Sequence, residues 1–350
     1  MAARLAEIAR HAGVSEATVS RVLNDKPGVA EATRVAVLTA LDVLGYERPA
    51  KLRRRSAGLV GLITPELVNP IFPALAQGIE SVLALSSFTP LLCTQTPGGV
   101  SEDEYVTTLL GQGVAGIIFV SGLHADAEHD HRQYHDLVER GLPIVCVNGY
   151  ADDIDAPYIS VDDADAMRQA VSHLAHLGHR RIGLAVGQQR YVPSRRKVHG
   201  FVEAVSASGL AGAAAAGMMV EHTLFSVEGG RAAANRLIDR GATAIICGSD
   251  LMALGAIRAA CQRGLGVPDD ISVVGFDDSP LMGFTAPALT TIRQPVESMA
   301  QAAAQTLLDA IAAAPVPATE YLYTPELIVR GSTAPPTAVE PAVALATRGR

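Results

Sequence analysis

Apolar residues recur at helical spacing in three short stretches within the first 45 residues of the chain. Gly13 supplies a turn after the first stretch, Ser15 offers an N-cap oxygen to the second, and Gly45 ends the third, which starts near residue 31. Short helices with a tight turn between the first two predict a helix-turn-helix head over residues 1–46. Its buried face is predicted to consist of Leu5, Ile8, Ala9, Ala12, Val19, Val22, Leu23, Val35, Leu38 and Leu41.

The second helix has a polar face opposite Val19 and Val22, and this face is predicted to enter the major groove of DNA. Arg21 can donate to two acceptors of guanine, Ala17 can touch a thymine methyl group, and Glu16 can accept from cytosine. The hydroxyl and amide side chains around them suit phosphate oxygens. The predicted DNA-contacting residues of the head are Ser15, Glu16, Ala17, Thr18, Ser20, Arg21 and Asn24. A small helical bundle with a solvated polar face is the alternative.

Charge is distributed unevenly along the chain. The net charge is −8 overall, but residues 1–57 carry +4 and the remainder carries −12. A basic head beside an acidic body is typical of a protein whose head alone approaches nucleic acid. Residues 47–57 form a basic linker, in which Arg53, Arg54 and Arg55 are predicted to contact the DNA backbone. The alternative for this run is a solvated spacer.

From residue 58 onwards, short apolar runs alternate with amphipathic stretches. This alternation predicts an α/β body with two parallel sheets in sequence, covered by helices. Ligands bind such sheets at the carboxyl ends of the strands, and in two-lobed bodies they bind between the lobes. Strands are predicted at 59–64, 91–94, 116–120, 144–148, 182–186, 244–247 and 272–275, and helices at 72–86, 102–113 and 131–141.

Two motifs could indicate other chemistry. Gly111, Gly113 and Gly116 match a dinucleotide-binding pattern, but a helix is predicted before it and a strand after it, the reverse of what that fingerprint needs. Histidines between residues 124 and 135 lack metal-ligand spacing and are predicted to lie in a solvated loop and helix start; they are His124, His129, His131 and His135. The sequence contains no nucleophile elbow and no phosphate-binding loop, so no enzyme, cofactor or metal site is predicted.

Other features predict a cytoplasmic protein with no membrane partner. The sequence has no apolar run of about 18 residues that could span a bilayer. Its N-terminus reaches Glu7 without the apolar core of a signal peptide. The cysteines form no CxxC pair and are predicted to be buried, reduced thiols.

In this order, head, linker and body resemble the LacI/GalR family of bacterial repressors over about residues 4–333. The resemblance rests on the runs Leu5-Ala6-Glu7-Ile8-Ala9, Ala12-Gly13-Val14-Ser15, Thr18-Val19-Ser20-Arg21-Val22-Leu23-Asn24, Leu44-Gly45-Tyr46, Asn69-Pro70-Ile71-Phe72, Gly275-Phe276-Asp277 and Leu289-Thr290-Thr291-Ile292. It implies a periplasmic-binding-protein-like body whose two lobes are joined by three crossing strands. It also implies a homodimer that binds a palindromic operator, with one head per half-site.

The resemblance also implies lobe boundaries. One lobe is expected at about 58–160 with 292–318, and the other at about 161–291 with 319–333. The residues from 334 to 350 are Ala/Pro-rich without leucine heptads, which predicts a flexible tail and no tetramer-forming coiled coil.

Within this family, the runs at 53–61, 94–99 and 119–126 are similar to maltose- or maltodextrin-responsive repressors of high-GC Gram-positive bacteria. The resemblance implies a repressor whose operator affinity is controlled by a small-molecule effector, with a sugar such as maltose or a maltodextrin expected. The residues that match the family's effector-binding positions are Asn69, Phe72, Ser121, Asp163, Lys197, Asp250 and Asp277.

The chain departs from the family pattern at several positions. Lys197 stands where the family usually has arginine, Asn148 where it often has aspartate, and Ala30 where the third helix usually has a serine cap. Lysine offers a point charge without the planar fork of arginine, which puts ligand recognition at that position in doubt.

The linker departs most from the family pattern. In the family, a leucine of the linker inserts into the minor groove of the operator, and the aligned position in this chain is Arg55 or Ser56. Either Leu52 is the residue that inserts, or Arg53, Arg54 and Arg55 lie along a narrow minor groove instead.

Two alternatives to a sugar-responsive repressor stay open. One is a regulator of the same fold that needs a nucleobase or a phosphoprotein as corepressor. The other is a sugar binder or an enzyme built on the same body.

Overall fold

The computed structural model describes residues 2–24, 26–46, 57–95 and 98–337. It divides into two compact units, the head within residues 1–57 and the body from residue 58 onwards. The predicted linker contacts and the end of the predicted tail lie outside the described residues; they are Leu52, Arg53, Arg54 and Arg55 in the linker and residues 338–350 in the tail.

The head contains the predicted helices, α1 (Ala2–Ala12), α2 (Glu16–Leu23) and α3 (Glu31–Val43). Ile8, Val19 and Val22 lie in its core. The predicted burial of Val35 is wrong, because its side chain is 54% exposed and Val37 is buried instead. The apolar positions of α3 admit two registers, and the helix packs with residues 37, 40 and 41 inward.

The body alternates strands with helices, as the hydrophobic pattern predicts. Its strands in chain order are β1 (Gly58–Thr64), β2 (Phe88–Thr94), β3 (Gly116–Val120), β4 (Ile144–Val147), β5 (Tyr158–Val161), β6 (Ile182–Val186), β7 (Val220–His222), β8 (Ala244–Cys247), β9 (Ser272–Asp277), β10 (Thr290–Arg293), β11 (Glu320–Tyr323) and β12 (Glu326–Ile328). Its helices are α4 (Ile71–Leu85), α5 (Glu102–Gly111), α6 (Arg132–Glu139), α7 (Asp163–His176), α8 (Val192–Ala207), α9 (Ala213–Gly217), α10 (Val227–Asp239), α11 (Asp250–Gln262) and α12 (Val296–Ile311).

The strands form two six-stranded sheets, which confirms the predicted α/β fold class. The first has the order β11-β5-β4-β3-β1-β2 and is parallel throughout. The second has the order β12-β10-β9-β8-β6-β7 and is parallel except where β12 pairs with β10. Because α12 packs on strands of the first sheet, the chain passes between the lobes after β5, after β10 and after β11.

The last crossing differs from the expected lobe boundary. Residues Glu320–Tyr323 pair with Tyr158–Val161 in the first sheet, so the chain leaves this lobe near residue 324 and not near 319. The N-lobe therefore comprises residues 58–161 and 294–323, and the C-lobe comprises residues 162–293 and 324–333. The helix α5 ends at Gly111 and β3 begins at Gly116, which confirms the order that argues against a dinucleotide site.

The flexible tail is predicted to start at residue 334, but residues up to 337 contact the C-lobe. The backbone of Ala334 is hydrogen-bonded to Ser272 Oγ, and its carbonyl oxygen also lies 2.9 Å from Nε2 of the buried His179. Thr337 donates to the carbonyl oxygen of Asp269. Residues 334–337 are therefore attached to the C-lobe, because they supply backbone partners to polar groups of that lobe. In the described part of the chain, no helix is long and apolar enough to cross a membrane.

The start of α3 generates a first prediction. Ala30 has the extended conformation of an N-cap (φ −60°, ψ 143°), but within the described head no side chain caps this helix. We expect Ala30→Ser to stabilise α3 by about 1 kcal/mol, because its hydroxyl can accept a first-turn N–H. Hydrogen exchange of α3 amides in the full chain should slow by about fivefold, the factor that corresponds to this energy.

The control for this test is Ala6→Ser at an exposed interior position of α1. Serine is a poorer helix former than alanine in a helix interior, so this change should not slow exchange. Equal slowing in both variants would contradict the capping explanation.

Candidate functional site

The exposed face of α2 has the geometry that the sequence predicts for DNA contact. Ser15 caps the helix, since its Oγ accepts from the Thr18 amide at 3.2 Å. Glu16 and Ala17 are exposed, whereas Val19 on the opposite face is fully buried. Base recognition by this face stays a prediction.

Two predicted DNA contacts have local partners in the head. An Nη of Arg21 donates to the carbonyl oxygen of Pro27 at 2.5 Å, and Asn24 donates through Nδ2 to Ser20 at 2.9 Å. A guanidinium has five N–H donors, so this bond orients Arg21 and leaves donors for a base. Asn24 is the C-cap residue of α2, and its Nδ2 keeps a second N–H that can donate to a phosphate.

A cavity of about 250 Å³ lies between the lobes of the body, at the carboxyl ends of strands from both sheets. This is the position at which parallel α/β sheets bind ligands. Six of the seven predicted effector residues line it: Asn69, Phe72, Ser121, Asp163, Lys197 and Asp277.

Asp250 is not among the described residues that line the cavity. As the first residue of α11, it is fully buried and accepts hydrogen bonds from Ser279 N at 2.7 Å and Thr291 Oγ1 at 2.6 Å. Burial raises the pKa of its carboxyl to about 6. Asp250 therefore ties together the backbone behind the cavity, and the adjacent Ser249 lines the cavity in its place.

Lys197 forms a buried ion pair at the cavity wall. Its Nζ lies 2.5 Å from Asp163 Oδ1 and 4.0 Å from the centroid of the Phe276 ring. Burial raises the pKa of Asp163, and the Lys197 ammonium opposes that shift. Because the pair is formed within the protein, Lys197 lines the cavity as a cation whose charge a carboxylate already balances.

Asp277 and Gln294 form a second polar group in the cavity wall. Gln294 Nε2 donates to Asp277 Oδ1 at 2.7 Å, and Gln294 Oε1 is buried with no donor among the described residues. Asp277 Oδ2 has no donor with regular hydrogen-bond geometry in the described structure, although the Asn69 side chain lies near enough to lower the pKa of Asp277 by hydrogen bonding. Burial raises the pKa of Asp277 well above its usual range, and the nearby Asp250 carboxylate adds to this shift. Asn148 also has a buried oxygen without a donor in the described structure.

Backbone strain is concentrated at the same place. Ser121 (φ 47°), Asn148 (φ 60°) and Asp277 (φ 115°) have positive φ values at the ends of β3, β4 and β9, and all three line the cavity. Residues with side chains rarely adopt this conformation. Where they keep it, the surrounding structure enforces it, which occurs most often at ligand sites.

The two lobes contact each other beside the cavity. Asp126 of the N-lobe forms an antiparallel bridge with Tyr191 of the C-lobe, and its Oδ2 lies 3.4 Å from Arg190 Nε. A second contact is bidentate: Arg196 donates to both carboxylate oxygens of Glu320, at 2.6 and 2.8 Å. Tyr191 and Arg196 also line the cavity, so the contact between the lobes shares residues with the cavity wall.

One of the histidines near this contact differs from its predicted environment, whereas His129 is exposed as predicted. His124 is fully buried, where a solvated loop is predicted, and its ring lies 5.9 Å from that of Tyr134. Burial lowers the pKa of His124 to about 3, so it is neutral. His131 pairs with Asp153 at 2.9 Å. Within the residues that the structure describes, no cluster of His, Cys, Asp and Glu could hold a metal ion.

Gln294 is a cavity residue that the sequence analysis misses. It follows β10, a strand of four residues, and no motif distinguishes it from an ordinary polar residue at a strand end. Its position directly after a strand is the signal that could have identified it.

Comparisons with known proteins match both parts of the chain. Residues 4–49 match the family model of bacterial regulatory proteins of the lacI family, and residues 171–333 match a periplasmic binding protein-like domain. The HTH-type transcriptional regulator MalR of Streptomyces coelicolor is 60% identical over 335 residues, which cover 95% of this chain and 97% of MalR.

Solved structures resemble the chain over nearly its whole length. A complex of the transcriptional regulator CelR with cellobiose is 32% identical, with a TM-score of 0.70, and the match covers 94% of this chain and 99% of CelR. The lac repressor dimer bound to operator and the anti-inducer ONPF is 27% identical, with a TM-score of 0.67, and the match covers 93% and 98% of the two chains.

The contact between the lobes generates a second prediction. We expect Asp126→Asn and Arg190→Gln each to accelerate hydrogen exchange in residues 122–130 and 188–195, because each removes the charge that supports the Asp126–Tyr191 bridge. Both changes break the Asp126–Arg190 pair, and Arg190→Gln also removes a bond to the Tyr191 hydroxyl, so the double variant should exchange no faster than Arg190→Gln alone. Additive acceleration would show that the two side chains act independently. The exposed Arg180→Gln of the same lobe serves as the control.

Proposed function

This chain belongs to the lacI family of bacterial regulatory proteins, and we propose that it is a homodimeric repressor that leaves its palindromic operator when maltose or a maltodextrin binds. As a member of the family it is a DNA-binding transcriptional regulator. The observation that carries the sugar assignment is the set of buried oxygens without donors in cavity-lining side chains, namely Asp277 Oδ2, Gln294 Oε1 and Asn148 Oδ1.

These oxygens favour a ligand rich in hydroxyl groups. A buried carbonyl or carboxylate oxygen needs a donor, and each sugar hydroxyl supplies one while also accepting a bond. A site of this kind discriminates strongly against analogues that lack a hydroxyl, because its own polar groups then stay unpaired. Phe72, Tyr191, Phe225 and Phe276 add aromatic surface to the wall, which suits the C–H faces of a sugar ring.

The charges at the wall favour a neutral ligand. Among the described lining residues, Arg196 and Lys197 are the cations, and each is paired with a carboxylate, Glu320 and Asp163 respectively. A phosphorylated ligand would have to compete with these ion pairs. The names of similar proteins support a sugar as well, since one is called MalR and another was solved with cellobiose.

The proposed operator contact uses α2 in the major groove and the linker beside it. Two heads related by the twofold axis of a homodimer suit a palindromic site. In the linker, we favour Arg53, Arg54 and Arg55 over Leu52 as the residues that hold the minor groove, because arginine is drawn to the negative potential of a narrow groove. A sugar that contacts both lobes favours one lobe arrangement, and operator affinity changes only through that difference.

The test of the effector is a calorimetric titration of the full chain, paired with operator binding at fixed salt. We expect maltose or maltotriose to bind and to release the operator, while glucose 6-phosphate and adenine do neither. A ligand at a hundredfold excess over its Kd should stabilise the body by about 2.7 kcal/mol. Binding of adenine with tighter operator binding would support the corepressor alternative and contradict the proposal.

A third prediction concerns base recognition. We expect Arg21→Ala to weaken operator binding by about 1–3 kcal/mol and to relax the preference at one base pair per half-site. The exposed Arg10→Ala on α1 controls for the loss of a positive charge. An equal loss on all DNA sequences would show that Arg21 contacts only phosphate.

A fourth prediction concerns the cavity. We expect Asp277→Asn to abolish the response to maltose or maltotriose while operator binding stays intact. The substitution turns one carboxylate oxygen of Asp277 into an NH2 donor, either Oδ2 or the Oδ1 that accepts from Gln294. Calorimetry of the variant checks the first part, and an operator titration checks the second. The exposed Asp152→Asn is the matched control. Unchanged sugar affinity in Asp277→Asn would remove this residue from the site.

A further inference from the structure

Glu102 is a buried carboxylate beside the cavity that the proposed site does not use. Glu102 is 1% exposed and is the first residue of α5. Its Oε2 accepts from Gln95 Nε2 at 2.8 Å and from Leu123 N at 3.0 Å, and its Oε1 accepts from the Tyr134 hydroxyl. All three partners donate, so Glu102 acts as an acceptor at every bond.

Helix capping does not explain this carboxylate. The start of α5 is already closed by a capping box in which Ser101 and Glu104 exchange bonds with each other's backbone. Asp103 supplies a further acidic side chain to the first turn. A buried carboxylate loses much of its hydration, and burial raises the pKa of Glu102 while its hydrogen bonds oppose that shift. The fold therefore retains a buried carboxylate whose hydrogen-bond partners all lie outside its own helix.

The partners of Glu102 belong to the cavity wall. Gln95, Gly122 and Leu123 all line the cavity. A Cβ on Gly122 would lie 2.6 Å from Glu102 Oε2, so the backbone of this turn packs directly on the carboxylate. One N–H of Gln95 donates to Glu102, which fixes the plane of the carboxamide and leaves its oxygen and its second N–H for a ligand.

The same network reaches the contact between the lobes. The Tyr134 hydroxyl that donates to Glu102 accepts from the His124 amide at 2.9 Å. Residues 122–125 are thus held at both Leu123 and His124, and the next residue is Asp126, which forms the bridge to the C-lobe. A change at Glu102 therefore alters a cavity side chain and the start of the lobe contact together.

We propose that Glu102 is a positioning residue for effector recognition, which orients the Gln95 carboxamide toward the ligand and fixes the turn at residues 122–125. The proposal rests on the proposed function, since it takes the ligand to be a neutral sugar with hydroxyl donors. Glu102 does not contact the sugar itself in this scheme. Its effect on affinity passes through Gln95 and the turn.

A double-mutant cycle tests this transmission. Maltotriose is titrated calorimetrically into the full chain and into Glu102→Ala, Gln95→Ala and the double variant. Each single change should weaken binding about tenfold, which corresponds to about 1.4 kcal/mol. The double variant should bind more tightly than the two losses multiplied would predict, because both changes remove the same contact of Gln95 with the ligand. Losses that multiply would show that Glu102 does not act through Gln95, and the proposal would be wrong.

Two further variants separate positioning from a general loss of structure. Asp103→Asn removes an equal charge from the same helix turn, at an exposed position, and should leave sugar affinity unchanged. Glu102→Gln keeps the size of the side chain and one acceptor oxygen, so we expect it to bind maltotriose with intermediate affinity. If Glu102→Gln binds as tightly as the unmodified chain, the carboxylate is not needed and the proposal fails.

Hydrogen exchange of residues 121–127 distinguishes failure of this proposal from failure of the proposed function. Unmodified protein that binds neither maltose nor maltotriose would contradict the sugar assignment. Even then, Glu102→Ala and Glu102→Gln should exchange faster than Asp103→Asn in this segment, because the Leu123 amide loses all or part of its acceptor. Equal exchange in all three variants would overturn the positioning role.

Discussion

Buried oxygen atoms that lack a donor are the constraint on which the cavity depends. A buried acceptor without a partner costs about 1–3 kcal/mol, and cavity-lining side chains carry several of them. Strained backbone at Ser121, Asn148 and Asp277 adds to this cost. Three of these oxygens, in Asn148, Asp277 and Gln294, belong to residues of the cavity wall, where a ligand that donates hydrogen bonds would offset this cost. The topology supplies the place, because strands of both sheets end there.

The sequence predicts those parts of the fold that depend on local pattern. Strands such as β3 and β6 are continuous apolar runs buried on both faces, which marks them clearly. The short strands β5, β7, β10, β11 and β12 contain three or four residues each and depend on pairing partners distant in sequence, so periodicity does not reveal them. The crossing near residue 324 follows from the pairing of β11 with β5, which a local pattern cannot specify.

The candidate site shows the same limit at the level of single residues. The resemblance identifies six residues of the cavity wall, but it cannot distinguish Asp250, which lies behind the wall, from Ser249, which lines it. Neighbouring residues at a helix start point in different directions, and only the packed structure decides which one meets the cavity. The sequence does not reveal the role of Glu102 for a similar reason, since glutamate is common in the first turn of a helix. Its significance comes from Gln95 and Leu123, which tertiary folding brings to it.

The paired cations explain how one cavity can be polar and still select a neutral ligand. Removing one partner of a buried ion pair costs about 3–5 kcal/mol, because the remaining charge is left uncompensated. A phosphate that took Lys197 from Asp163 would leave that buried carboxylate without its closest cation. Neutral hydroxyls can instead bond to the pair as it stands. The wall therefore discriminates by the charge of the ligand as well as by its shape, and this discrimination comes from pairs formed within the protein.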